Sequence, residues 1–415
     1  MKTLLKNIGN LVGVTDASVT RKAGEAMWNL DSLSDAWLLI EDDRILDFGR
    51  SHELTDVFVA CADKIIDMNG QWVFPSFCDS HTHVVYAGNR AGEFLDKING
   101  LSYEEIAKRG GGILNSADLL HATSEDDLFE QAMVRVREVI AKGTGAIEIK
   151  SGYGLTVADE LKMLRVIRRI RESAPVEVKS TFLGAHAVGR AYQGRQDDYV
   201  GLVCEEMIPE VGRQRLADYV DVFCDKGFFT PDDTARILEA AAKWGMKPKI
   251  HANELDVSGG VQVGVAYNAV SVDHLERTTQ VEIDILRDSS TVPTILPGAS
   301  FFLGMPYGNA KGMMEAGLPV ALASDYNPGS SPSGDMRFVC ALASIRMKLT
   351  PSQAINAATI NGAAAMELGH AAGSIAVGKL ANFFTTEPLP SLAFFLYAYT
   401  TPMITAVWHR GQAVG

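Results

Sequence analysis

Paired cysteines, an excess of positive charge and long apolar runs are all missing from this 415-residue chain. Its five cysteines are odd in number and scattered without C-x-x-C spacing, which favours a reducing cytoplasm over a disulfide scaffold. The formal net charge of −13 disfavours nucleic acid or an anionic membrane as partner. No stretch approaches the roughly 20 apolar residues of a membrane span, and residues 1–8 lack signal-peptide character. We therefore expect a soluble cytoplasmic protein.

A Gly-x-Gly-x-x-Gly after an early strand is also missing, which disfavours a dinucleotide-binding sheet. Gly110-Gly111-Gly112 follows a predicted helix and is better explained as a flexible lid or tight turn than as a phosphate cradle. What the chain does have is length. A barrel of eight strands and eight helices needs about 250 residues, so 415 residues leave room for a smaller accessory unit.

From Trp72 onward, apolar runs alternate with amphipathic helical patterns, as in parallel βα units. The eight predicted strands are 73–83, 146–150, 177–186, 219–224, 247–251, 269–274, 291–296 and 319–325. Eight strands with helical crossovers close most economically into a barrel, and an open doubly wound sheet is the alternative.

Short strand-like runs occupy both ends of the chain. They are residues 37–40, 44–48 and 64–68 before the barrel, and 374–377, 381–385 and 405–409 after it. We predict an α/β fold, a TIM-type (β/α)8 barrel over residues 71–370. A small β-sandwich domain built from residues 1–70 and 371–415 accompanies it.

Five of the nine histidines and one aspartate lie where predicted barrel strands end: His81, His83, His186, His251, His274 and Asp325. The carboxyl ends of barrel strands share one rim, where catalytic groups gather. His81 and His83 are two residues apart in an extended chain, so their side chains project to the same side. One such histidine is more often a hydrogen-bonded rim residue, but six groups together predict a metal site. Nitrogen and carboxylate ligands without thiolate suit zinc or ferrous iron.

Two further side chains have chemistry that suits such a site. Glu254 lies three residues after His251 and could move a proton between water and a leaving nitrogen. Arg90, just after the first strand, suits bidentate capture of a substrate carboxylate. The simpler explanations are a surface glutamate, and an ion pair of Arg90 with Glu93 or Asp96.

Several distinctive sequence blocks follow one another along nearly the whole chain. They are His81-Thr82-His83, residues 88–90, 93–94 and 110–114, Glu-Ile-Lys-Ser-Gly-Tyr-Gly at 148–154, and residues 181–186, 250–254 and 324–331, the last reading Ser-Asp-Tyr-Asn-Pro-Gly-Ser-Ser. These blocks resemble the amidohydrolase superfamily and, within it, the imidazolonepropionase family of histidine degradation. Ser76, Ser80 and Asn253 depart from the residues usual there, which are glycine, proline and aspartate.

The resemblance implies one Zn or Fe ion per chain, with the metal ligands His81, His83, His251 and Asp325. It implies substrate contacts from Arg90, Tyr153, His186, Glu254, Asn327, Gly329 and Ser330. It also implies catalytic roles for Glu254, His274 and Asp325. Lys150 ends the second predicted strand, whereas the lysine that bridges two metals in some relatives belongs to the fourth, so we expect one metal. We assign Asp79 to orienting a ligand histidine.

The implied reaction is hydrolysis of the cyclic amide C–N bond of 4-imidazolone-5-propanoate to N-formimidoyl-L-glutamate. The implied partner is a small molecule carrying a carboxylate, without nucleic acid or membrane. Activated water attacks the ring carbonyl, Glu254 carries the proton to the ring nitrogen, and His274 stabilises the oxyanion.

A metal-dependent deaminase or another cyclic amidase acting on a small nitrogen heterocycle is the alternative, because His-x-x-Glu also occurs in deaminases of the superfamily. A non-catalytic scaffold is disfavoured since every ligand is present. Helices around such barrels often pack into dimers, so a homodimer is a further hypothesis.

Overall fold

The computed structural model describes residues 1–101, 105 and 111–414. Its main sheet has eight parallel strands in chain order, which we number barrel strands one to eight. They are Phe77–Thr82, Thr144–Lys150, Glu177–Ala185, Tyr219–Cys224, Lys247–Ala252, Ser271–His274, Val292–Ile295 and Ala321–Leu322. A bridge between Thr82 and Tyr326 closes the barrel. The His83 amide donates to the Tyr326 carbonyl at 2.9 Å, and the Asp325 amide to the His81 carbonyl at 3.0 Å. The predicted barrel is confirmed, and the seam where strand eight meets strand one includes the proposed ligands His81, His83 and Asp325.

Helices connect successive barrel strands, and further helices precede strand one and follow strand eight. Among the described residues the α-helices are Asp56–Cys61, Ala91–Ile98, Ile113–Ala122, Glu125–Ala141, Val157–Ser173, Gln196–Leu202, Ile208–Gln214, Pro231–Ala242, Gly260–Ala266, Gln280–Arg287, Pro297–Leu303, Ala310–Glu315, Met336–Met347, Pro351–Ala358, Ile360–Ala364 and Leu392–Tyr397. Thr230 caps the helix that begins at Pro231, as a capping box with Asp233. Gly110 of the glycine run lies outside the described residues, and Gly112 stands at the start of Ile113–Ala122.

The second sheet is mostly antiparallel and takes strands from both ends of the chain. Its strands are Lys2–Val12, Ser32–Glu41, Arg44–Arg50, Lys64–Asp67, Trp72–Pro75, Phe383–Thr386, Ile404–His409 and Gln412–Val414. The accessory sheet expected from the termini is therefore confirmed. The run 374–377 is an exception, because there Ile375 makes only one bridge, to Val14.

The expectation of one strand over residues 73–83 is wrong. Trp72–Pro75 pairs with Lys2–Val12 and Phe383–Thr386 in the accessory sheet, whereas Phe77–Thr82 pairs with barrel strand two. The chain changes sheets at Ser76. The division into residues 1–70 with 371–415 and residues 71–370 stays a prediction.

The two sheets share part of their packing. Phe74 and Phe384 of the accessory sheet lie in one buried cluster with Phe77 of barrel strand one and with Phe395. A separate apolar cluster, which includes Leu38, lies within the accessory sheet. The part of the chain that the structure describes contains no helix of the length and apolarity that crossing a bilayer requires.

Candidate active site

All six strand-end groups predicted from the sequence reach one rim of the barrel. His83 Nε2 lies 3.3 Å from His81 Nε2 and 3.4 Å from His251 Nε2. Asp325 Oδ1 lies 3.6 Å from the Nε2 atoms of both His81 and His83. His274 is a neighbour, because one ligand atom from each of His81, His251 and His274 falls within 4.8 Å of the others. These side chains are all buried.

This spacing fits a single small cation. Nitrogen ligands at about 2.05 Å around a tetrahedral zinc are about 3.3 Å apart, which matches the separations between the imidazole nitrogens. The donor set of three imidazoles and one carboxylate suits zinc or iron chemically. The arrangement therefore has the ligand set of a metal centre.

Two buried aspartates orient the ligand rings. His81 Nδ1 donates to Asp273 Oδ2 at 2.7 Å, and His251 Nδ1 donates to Asp221 Oδ2 at 2.9 Å. Each bond leaves Nε2 as the lone-pair nitrogen toward the cluster, as in carboxylate–histidine–metal arrangements. Sequence reasoning missed both residues. The sequence feature that could have identified them is a single aspartate within a mostly apolar strand. Asp221 lies in Tyr-Val-Asp-Val-Phe-Cys and Asp273 in Ser-Val-Asp-His.

Asp79, predicted to orient a ligand histidine, makes different side-chain contacts. Its carboxylate accepts from the Ser324 amide at 2.9 Å and from the Ser324 hydroxyl at 2.5 Å. It therefore joins barrel strand one to the segment that leads into Asp325, across the seam of the barrel. The His81 backbone amide also lies against this carboxylate, whereas Asp221 and Asp273 hold the imidazole rings. The predicted orienting role of Asp79 stays a prediction.

The loop after strand eight is folded by its own side chains. Asn327 Nδ2 donates to the Asp325 carbonyl and to Ser330 Oγ, both at 2.7 Å. Asn327 Oδ1 accepts from the amides of Gly329 and Ser330. Ser330 Oγ donates to Asp325 Oδ2 at 3.0 Å. Asp325 itself has φ 53°, in the left-handed region that a non-glycine residue rarely adopts, so this loop holds a strained residue in place.

Glu254 and His274 form a second titratable pair beside the cluster. Glu254 Oε2 is 3.7 Å from His274 Nε2, and His274 Nδ1 is 3.6 Å from Glu276 Oε2. Burial raises the pKa of Glu254 to about 7, with a partial offset from His274. Burial alone would lower the pKa of His274, but the charges of Glu254 and Glu276 raise it to about 10. The pair thus combines an acid titrating near neutrality with a cationic donor.

Arg90 is buried at the cavity wall and not at the surface. Its Nε donates to Glu93 Oε2 at 2.8 Å, and Glu93 Oε1 accepts from the Gly112 amide at 3.0 Å. The ion pair with Glu93 that was the simpler explanation does form, and it fixes the guanidinium inside the cavity. A Cβ added to Gly329 would lie 2.1 Å from Arg90 Nη1, so a side chain at this position would displace the guanidinium.

Tyr153 and His186 line the cavity just after barrel strands two and three. His186 Nδ1 donates to the Gly152 carbonyl at 2.9 Å, and its ring lies 5.3 Å from the rings of both His83 and Tyr153. Burial and His251 lower the pKa of His186 to about 3, so its imidazole is neutral. Nearby, Asn253 has φ 56°, a conformation that asparagine tolerates better than most residues.

One cavity of about 630 Å³ joins these groups. Its lining includes Arg90, Tyr153, Glu254, residues of the loop after strand eight and, from the ligand cluster, His83, His251 and Asp325. Phe94, Phe301 and Phe302 add apolar walls. Such a mixture of apolar walls and few polar groups is typical of a small-molecule site.

Comparison with known proteins identifies relatives of this chain. The model of the amidohydrolase family matches residues 72–414. The imidazolonepropionase of Christiangramia forsetii is 51% identical over 414 residues, with 100% of each chain covered. That of Geobacillus kaustophilus is 38% identical, covering 97% of this chain and 96% of its own length.

The chain belongs to the imidazolonepropionase family of amidohydrolases. The resemblance seen in the sequence is thereby confirmed at the level of the family. Solved structures agree on the fold alone. A triazine hydrolase variant superposes with a TM-score of 0.76 at 14% identity, covering 99% of this chain and 94% of that one. Guanine deaminase from C. acetobutylicum gives 0.72 at 15% identity, with 100% of both chains covered.

Proposed function

We propose that the chain is an imidazolonepropionase, which hydrolyses the cyclic amide bond of 4-imidazolone-5-propanoate to N-formimidoyl-L-glutamate. One observation carries the proposal: a metal ligand set and a fixed guanidinium face the same small cavity. Full-length identity of 51% to an imidazolonepropionase supports the substrate.

The residues proposed to hold one zinc or iron ion are His81, His83, His251 and Asp325. When bound, the ion lowers the pKa of a water molecule and polarises the ring carbonyl. Asp273 and Asp221 keep the rings of His81 and His251 in the tautomer that presents Nε2.

Glu254 receives the proton of the attacking water and returns it to the ring nitrogen as the C–N bond breaks. A pKa near 7 suits both directions of transfer at neutral pH. His274, held cationic by two carboxylates, donates to the oxygen that gains negative charge. One such donor contributes about 3 kcal/mol to transition-state stabilisation.

Arg90 binds the propionate carboxylate, because its planar guanidinium lines the cavity and is oriented there by Glu93. Tyr153 and the neutral His186 are proposed to contact the imidazolone ring. Gly329 and Ser330 complete the wall near the carboxylate, while Asn327 acts through the shape of their loop.

The test is a direct assay of imidazolonepropionate consumption by purified, metal-loaded protein, with N-formimidoyl-L-glutamate as the expected product. Ring opening releases no ammonia, whereas a deaminase would release it. Ammonia without formimidoylglutamate, or no consumption of the substrate, would overturn the proposal.

A further inference from the structure

Five buried charges form a layer beneath the metal ligands. Glu148, Lys150, Asp221, Lys249 and Asp273 project from barrel strands two, four, five and six, and each has no exposed surface. Glu148 and Lys150 belong to the specific block at 148–154, yet the proposed reaction gives them no role.

Lys150 lies at the centre of this layer. Its Nζ is 2.7 Å from Glu148 Oε1, 2.8 Å from Asp221 Oδ2 and 3.7 Å from Asp273 Oδ2. Asp221 Oδ2 and Asp273 Oδ2 are the same oxygens that accept from His251 and His81. One ammonium therefore contacts both carboxylates that fix ligand rings.

Lys249 has the same charge and burial but a different set of contacts. Its Nζ pairs with Glu148, donates to the Ser80 carbonyl at 2.8 Å, and is 3.9 Å from Asp273 Oδ2. Within the described residues, its Nζ forms no ion pair with Asp221. The two lysines thus differ mainly in whether they hold the aspartate of His251.

We propose that Lys150 is a positioning residue of the metal centre, which fixes the carboxylates of Asp221 and Asp273 and through them the rings of His251 and His81. A buried carboxylate without its cation is costly, so without Lys150 these carboxylates would rotate or admit water. The ligand rings would then lose their fixed orientation, and metal affinity would fall.

The charge count of the layer agrees with this role. Three carboxylates and two ammonium groups leave one negative charge. Lys150 therefore balances the aspartates that a metal centre with neutral imidazoles requires.

A simple electrostatic effect predicts the opposite change in zinc affinity. Lys150 is a cation close to the metal, so its removal would tighten metal binding if charge alone mattered. We expect Lys150→Met to weaken Zn²⁺ binding by about tenfold, the lower end of the range for outer-shell partners of a ligand. The measurement is competition with a chromogenic zinc chelator at constant pH. Unchanged or tighter binding would overturn the proposal.

Lys249→Met is the matched control, since it removes the same charge from the same layer. Its zinc affinity should fall less than that of Lys150→Met. Equal losses would show a nonspecific effect of the missing charge and would contradict the positioning role. The visible absorption of the Co²⁺-loaded chain should also change in Lys150→Met, because the ligand geometry shifts.

A double-mutant cycle tests the route through the aspartate. The double variant carries Lys150→Met and Asp221→Asn together. If Lys150 acts through Asp221, the factor by which its zinc affinity falls is smaller than the product of the factors for the two single variants. Multiplicative losses would contradict the route. Should Lys150→Met not fold by circular dichroism, Lys150→Gln takes its place under the same criteria.

The inference rests on the proposed metal centre but not on the proposed substrate. Zinc competition needs no substrate, so it can fail while the imidazolonepropionate assay succeeds, and the reverse also holds.

Discussion

His81 and His251 present Nε2 to the cavity because an aspartate binds Nδ1 of each ring. The chemistry of each residue in the site likewise depends on a second group. Glu93 fixes Arg90, and Ser330 Oγ contacts Asp325. Substitutions are therefore most informative when they change either the functional side chain or the residue that holds it in place, but not both.

Glu254→Gln is expected to keep the metal and to lower kcat by about 100- to 10,000-fold, since the amide cannot accept the proton. Metal analysis and steady-state assay check both parts. A variant with wild-type turnover would remove the proton-transfer role from Glu254.

The pH profile tests the same residue independently. Burial raises the pKa of Glu254 to about 7, and a base works only when deprotonated. The kcat/KM of the wild-type chain should therefore fall as pH drops below about 7. The residual rate of Glu254→Gln should lack this acid limb, and a profile flat down to pH 5 in the wild type would contradict the assignment.

Gly329→Ala is expected to raise KM by about tenfold or more, because the new methyl group displaces the Arg90 guanidinium from its place. Gly92→Ala is the control, since its added Cβ meets no atom within 4 Å. Equal KM values for the two variants would show that the position of Arg90 does not matter for substrate binding.

At the scale of single elements, the loop after barrel strand five depends on a carboxylate from strand four's end. Asp225 accepts from the amides of Glu254, Leu255 and Asp256 and from the Ser258 hydroxyl, at 2.7 to 3.1 Å. This anchor fixes where the Glu254 side chain begins.

Asp225→Ala should consequently lower stability by about 3 kcal/mol, because buried amides lose their acceptor, and should lower kcat on the order of tenfold. Asp256→Ala is the control, since its ion pair with Lys226 is exposed and contributes little. Urea unfolding and steady-state kinetics measure the two effects. Loss of stability without loss of kcat would separate the anchor from catalysis.

Barrel strand one illustrates the limits of pattern reading at this scale. Residues 73–83 form one continuous stretch of strand character, and side chains alternate with the same period in either sheet. The break at Ser76 depends on partners distant in sequence, because the Ser76 amide donates to the Asn382 carbonyl and the Phe77 amide to the Gly143 carbonyl. For strands four and five, which turns and helix caps flank, the sequence predicts both ends within one residue of those observed.

At the scale of the whole molecule, aromatic side chains join the accessory sheet to the barrel. The Phe74 ring lies 5.3 Å from Phe384 and 4.7 Å from Phe395, and Phe77 lies 5.1 Å from Phe384. Because one buried cluster includes all four, the two units should unfold together.

Phe384→Ala is expected to cost about 3–5 kcal/mol of unfolding free energy, since it leaves a cavity among these rings. Tyr397→Ala, at a side chain 80% exposed, should change stability by less than about 0.5 kcal/mol. Calorimetry should show a single transition for both variants. Two separate transitions in Phe384→Ala would instead indicate that the sheet and the barrel are independent.

The sequence by itself determined the barrel, the accessory sheet and the six strand-end groups, because strand periodicity and the rim rule act locally along the chain. It did not determine the partners of those groups. Asp221, Asp273 and Lys150 meet only because barrel closure brings strands two, four and six around one axis. Contacts across a barrel depend on tilt and register, and those are decided by packing of the whole chain.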